Sequence, residues 1–171
     1  MNKYSVLLMT LILVIGCTKT ETTDTVTPSD TPTNTKETGV FATDMLNAVN
    51  ALRAKGCTCG NQAMPPVPTL KWNKLLETAA IRHAIDMTKT KTLSHTGSDG
   101  STMQKRIDDT GYRWSYIGEN IAWGYLSLSA VMTGWTNSEG HCKNMMSANI
   151  TEMGAAHNGD NWVQDFGKPL N

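Results

Sequence analysis

The stretch Met153-Gly154-Ala155-Ala156-His157-Asn158-Gly159-Asp160-Asn161-Trp162-Val163-Gln164-Asp165-Phe166 carries the fold class. Two apolar arms, Met153 to His157 and Trp162 to Phe166, flank Asn158-Gly159, a dipeptide suited to the left-handed backbone of a tight β-hairpin. An antiparallel pair of this kind must be covered on at least one face. Working back along the chain, Leu128, Val131, Met132 and Trp135 recur at helical spacing. Before them, Tyr112 to Tyr116 and Glu119 to Gly124 read as extended segments on either side of a turn at Gly118. Ser101 with Gln104 three residues later fits a capping box for a short helix ending before Gly111.

Closer to the amino terminus, Asn73 is placed to cap a helix whose buried face is Leu76, Ala79, Ala80, His83 and Met87. Pro65-Pro66-Val67-Pro68 keeps the chain before it extended. Asp44 opens an earlier helix with an apolar stripe of Met45, Leu46, Val49 and Leu52, which stops at Gly56. Helices and strands do not alternate as a parallel sheet would require. The expected fold is therefore α+β, a three-layer α-β-α sandwich around an antiparallel sheet.

The chain has 171 residues, 39% hydrophobic and 18% charged, with 15 basic and 15 acidic side chains. Residues 39–171 hold 12 Lys or Arg against 11 Asp or Glu with no basic run, which argues against a nucleic-acid partner. At the other end, Lys3 precedes an apolar run from Val6 to Ile15 that is too short to span a bilayer and has the layout of a signal peptide over residues 1–16. Val14-Ile15-Gly16-Cys17 resembles a bacterial lipobox, which implies lipidation of Cys17 and anchoring to the membrane of the cell envelope. Residues 17–38 are Thr-rich and lack aromatic residues and Leu, so they read as a disordered tether. The folded domain is expected over 39–171.

Cys57, Cys59 and Cys142 remain for an exported domain in which disulfides persist. Cys57 and Cys59 are too close for a relaxed mutual bridge, so one of them is expected to pair with Cys142. A Cys-x-Cys metal site is the weaker alternative, because no fourth soft ligand stands at a usable spacing.

Four blocks carry a family resemblance: Leu93-Ser94-His95-Thr96-Gly97, Gly118-Glu119-Asn120-Ile121-Ala122-Trp123-Gly124, Trp135-Thr136-Asn137-Ser138-Glu139-Gly140-His141-Cys142, and Trp162-Val163-Gln164-Asp165-Phe166-Gly167. In this order they resemble the bacterial branch of the CAP superfamily, the cysteine-rich secretory, antigen-5 and pathogenesis-related proteins with SCP-like extracellular domains. The resemblance implies an α-β-α sandwich with a cleft lined by two His and two acidic residues, which bind a divalent metal in several relatives. It maps the cleft onto His95, Glu119 and His141. The fourth position falls on Ser138, where the eukaryotic pattern has Glu, and Glu139, which stands where the bacterial pattern has Pro, is the alternative source of that carboxylate if it is not simply solvated. It also maps the disulfide onto Cys59 and Cys142, leaves Cys57 as the odd thiol, and places Trp123 and Trp135 in the core.

Two imidazoles and a carboxylate match zinc chemistry, and a bound ion would make water a nucleophile. The ligands are scattered in sequence, with no helical His-Glu-x-x-His spacing to force them together. Ser94 and Ser138 each adjoin or nearly adjoin a cleft His, a poor basis for triad geometry. His83 lies on an apolar helical stripe and reads as a packing residue, His157 as exposed, and Asn120 as a local backbone brace. The sequence thus favours a binding or interaction module at the cell envelope over an enzyme, with a lipid, a peptide or an envelope polymer as ligand. A metal-dependent extracellular hydrolase of protease type is the alternative, and a structural role with a vestigial cleft is the third reading.

Overall fold

The computed structural model describes residues 35–170. The expected signal peptide, Cys17 and most of the Thr-rich tether lie outside the described residues. The elements run α1 (Thr35–Lys55), β1 (Cys57–Cys59), β2 (Gln62–Met64), β3 (Lys71–Trp72), α2 (Lys74–Thr90), α3 (Met103–Asp109), β4 (Trp114–Trp123), α4 (Leu128–Asn137), α5 (Glu139–Met145), β5 (Glu152–Asn158) and β6 (Asn161–Pro169). Among the described residues no helix is long and apolar enough to cross a membrane.

The main sheet has the order β3-β5-β6-β4. Its three long strands are antiparallel, and the two-residue strand β3 joins β5 in parallel at one edge. Asn158 pairs with Asn161, so the tight turn of the β5–β6 hairpin is Gly159-Asp160, one residue later than expected, with Gly159 at φ +52°. Side chains alternate across this sheet. Ile121, Ala156 and Val163 pack with Ala80, Ala84 and Met87 of α2 on one face. Ala122, Met153, Ala155, Trp162 and Phe166 pack with Met45, Val49, Val131 and Trp135 of α1 and α4 on the other. The result is an α-β-α sandwich with α2 and α3 on one side and α1, α4 and α5 on the other.

The helix α2 matches its sequence. Asn73 accepts from the N–H groups of Leu75 and Leu76, and Leu76, Ala79, Ala80, His83 and Met87 are all buried. The layer is tight: a Cβ on Gly154 would come within 2.0 Å of the Glu77 amide nitrogen, so the glycine lets α2 lie on β5.

Several expectations change. The helix α1 begins nine positions before Asp44, which is an exposed interior residue and not a cap. Its early turns dock through Phe41, which meets Trp162 at 6.2 Å between ring centroids. The cap of α3 is Thr102, whose hydroxyl accepts from Lys105 N–H, and Ser101 is instead buried below it. No turn forms at Gly118, because β4 runs unbroken and pairs Gly118 with Phe166 of β6. The one irregularity in that ladder falls between Trp114 and Tyr116. Trp135 is core, but Trp123 is 65% exposed, since it ends an edge strand where no helix covers it.

Candidate functional site

His95 sits in the loop between α2 and α3, and its Nδ1 is 2.7 Å from Glu119 Oε1. Glu119 belongs to β4 and points toward the α2 side, opposite to Asn120. Its second oxygen, Oε2, accepts from Arg106 Nη2 at 2.7 Å, in an ion pair whose two side chains are each 1% exposed. Both carboxylate oxygens are thus engaged. Arg106 also donates to the carbonyls of His95 and Ser101, so one guanidinium holds the His95 loop and the Glu119 carboxylate together. From α2, His83 Nε2 bonds the Ser94 carbonyl at 2.8 Å, and Asp86 accepts from Ser98 N–H. His83 is the packing residue its sequence position suggests, with a second duty in fixing the loop.

Beside Glu119, on the matching position of β6, lies Asp165. Neither of its oxygens has a hydrogen-bond partner, and the same holds for His83 Nδ1 and Arg106 Nε. Burial first, and then the Glu119 charge, push the Asp165 carboxyl well above its ordinary value. For Glu119, burial acts upward, but the His95 hydrogen bond and the Arg106 charge prevail and hold it below its usual value. The Glu119 bond raises His95 against an opposing effect of burial. His141 shifts the other way, lowered by burial and then by the His95 charge.

His141 stands on α5. Asn120 Nδ2 donates to the His141 carbonyl and to Gln164 Oε1, while Asn144 Nδ2 donates to Asn120 Oδ1 and to the Glu119 carbonyl. Asn120 therefore braces a distant helix and not its own loop. A hollow of about 360 Å³ is lined by His95, Thr96, Thr102, Met103, Gln104 and Glu119. His141, Glu139 and Ser138 are not in that lining. Glu139 Oε1 accepts from Lys143 at 2.6 Å, and its carboxylate leans over Gly60, where a Cβ would meet Oε2 at 2.6 Å. The Ser138 side chain makes no cap hydrogen bond, and Ser94 Oγ accepts from Thr96 N–H.

The structure thus joins His95 to Glu119, while His141 lies outside the lining of that hollow but within reach of the His95 charge. Among the described residues, the one group of three His, Cys, Asp or Glu side chains with ligating atoms all within 4.8 Å is Cys57, Cys59 and Cys142. Two of those are bonded to each other, as Cys59–Cys142, and so are not thiolate ligands. Sequence reasoning missed Arg106 and Asp165. For Asp165 a signal existed, since it shares the inward parity of Val163 on a strand that also carries Trp162 and Phe166. For Arg106, a basic residue in a short polar helix, there was none.

Residues 46–166 match the profile of the cysteine-rich secretory protein family, CAP. The chain belongs to this family. Over 97 residues, 57% of this chain and 28% of the relative, it is 29% identical to the uncharacterized membrane protein YlbC of Bacillus subtilis. The uncharacterized protein YkwD of the same organism is 40% identical over 58 residues, 33% of this chain and 23% of YkwD. The chain therefore spans about a quarter of the length of these curated relatives. Among solved structures, the CAP fold here is similar to that of an extracellular protein containing an SCP domain from Bacillus anthracis. That match has TM-score 0.63 and 24% identity, covering 81% of this chain and 45% of the other. It is also similar to an outer surface protein of Borrelia burgdorferi, with TM-score 0.62 and 23% identity over 80% of this chain and 96% of the other.

Proposed function

We propose that this CAP domain is an exported, lipid-anchored binding module at the bacterial cell envelope, and that it takes its ligand at the hollow beside His95. The observation that carries this reading is the fixed imidazole. Nδ1 is committed to Glu119, which leaves Nε2 to meet a ligand, and the loop is held by Arg106, His83 and Asp86. A preset polar group at a shallow, open hollow suits recognition of a peptide, lipid headgroup or envelope polymer. The export signal, the lipobox-like Val14 to Cys17, and the extracellular and outer-surface descriptions of structurally similar proteins support the location.

A divalent metal fits this chain only in part. Glu119 has no oxygen to spare without breaking its contact to His95 or Arg106, so it acts as the group that orients an imidazole. His95 and His141 are the donors left to hold a zinc ion, with water completing its shell. Such an ion would acidify its water. The hydrolase reading rests on the His95–Glu119 pair, which is the base-and-orienter half of a hydrolytic site.

Zinc titrated into the full chain and into the His95→Ala/His141→Ala double variant tests the cleft. Weak binding lost in the double variant is expected, and equal affinity in both overturns it. Turnover of a casein substrate that is lost with chelator and with His95→Ala would replace the binding reading by the hydrolase. Labelled palmitate entering the wild type but not Cys17→Ser tests the anchor, and equal labelling removes it.

A further inference from the structure

The segment Cys57-Thr58-Cys59 forms one short strand, and residues two apart on a strand point to the same face. Thr58 is exposed, while Cys57 and Cys59 both pack toward Cys142 of α5. Cys142 Sγ is bonded to Cys59, yet it also lies 3.5 Å from Cys57 Sγ, which is 3.7 Å from Cys59 Sγ. Among the described residues Cys57 is the free cysteine, and it is half-buried. A thiol therefore rests against a disulfide that it is chemically able to open.

We propose that these three residues form a thiol–disulfide exchange site in which the bridge of Cys142 passes between Cys59 and Cys57. The Cys57 thiol releases its proton to water, and the thiolate attacks Cys142 Sγ. A Cys57–Cys142 bond forms as the Cys59–Cys142 bond breaks, and Cys59 leaves as a thiolate that takes up a proton. One thiol and one disulfide exist before and after, so no oxidant or reductant is consumed. The two similar distances place Cys57 beside the S–S bond and not on its axis, so its side chain swings before attack.

The surroundings permit that movement. The strand β1 pairs only with β2, in a two-stranded hairpin apart from the main sheet. In both forms α5 stays tethered, and its anchor point shifts by two residues along β1. The other exchange, attack on Cys59, would join Cys57 to Cys59, a pairing that neighbours on a strand resist.

The test uses the full chain purified without reductant. It is labelled with iodoacetamide over a dilution series reaching concentrations at which labelling takes hours, then digested and mapped by tandem mass spectrometry. Exchange gives label on Cys59 in a fraction that grows several-fold as the reagent is diluted, with a matching Cys57–Cys142 crosslink. Label confined to Cys57 at every dilution overturns the proposal. A second readout is Cys59→Ser, in which Cys57 and Cys142 are expected to bridge. A folded Cys59→Ser protein in which both stay free also overturns it, and if that variant does not fold the labelling of the wild type decides.

Discussion

Glu119 and Asp165 occupy the same rung of the β4–β6 ladder, so two carboxyl groups meet on one buried wall of the sandwich. Their environments divide the labour. Arg106 and His95 grip Glu119 from two sides, and Asp165 is left without a partner. Neighbouring like charges disfavour each other, so burial and the Glu119 charge raise the Asp165 carboxyl well above its ordinary value.

Asp165→Asn follows from that division. A carboxyl whose folded pKa lies above its unfolded value of about 4 binds its proton more tightly in the fold. That binding favours the fold at acid pH, and the advantage is lost as pH climbs through the folded value. The variant should gain on the wild type between about pH 4 and about pH 7. Denaturant unfolding at the two pH values checks this, and a difference that does not change with pH refutes it.

Replacing Arg106 by Met removes the buried guanidinium paired with the Glu119 carboxylate and its hydrogen bonds to the His95 and Ser101 carbonyls. Breaking a buried pair from one side costs about 3 to 5 kcal/mol, and that loss is expected in urea unfolding. Faster amide exchange over residues 95–101 should accompany it.

The two cleft imidazoles should titrate apart in an NMR pH series, His95 above the ordinary value of about 6.5 and His141 below it. In His95→Gln, His141 should rise, because the repulsion from His95 is gone while burial remains. The His95–Glu119 pair contributes its stability in full below about pH 6.5 and loses it as pH rises through the folded His95 value. The stability gap between wild type and His95→Gln should therefore narrow on the alkaline side. A common titration point for the two histidines would refute the assignment.

Gly154→Ala drives a methyl group into the α2 backbone, where the nearest atoms are the Glu77 amide nitrogen at 2.0 Å and the Leu76 carbonyl carbon at 2.5 Å. Backbone cannot step aside as a flexible side chain would. A loss of about 3 kcal/mol or more is expected, read as a fall in Tm.

Much of this was legible in the chain itself, and the limits have physical causes. The α2 stripe, the Asn73 cap and the two arms of the hairpin follow from local periodicity, and all three appear in the structure. Gly118 reads as a turn because glycine permits one, yet its ladder partner Phe166 lies 48 positions away and holds it extended. Trp123 reads as core by its motif, but only the strand order shows that it closes an open edge. The pairing of His95 with Glu119 came from family resemblance. Arg106 had no local mark, since its value lies in three acceptors drawn from elsewhere in the chain.

The amide network of Asn120, Asn144 and Gln164 ties α5 to the sheet, as Arg106 ties the opposite loop. Each wall of the cleft was stiffened when the chain folded. A molecule docking there would meet a surface with little left to rearrange, since the ordering entropy that a pliant surface would surrender on contact has already been spent.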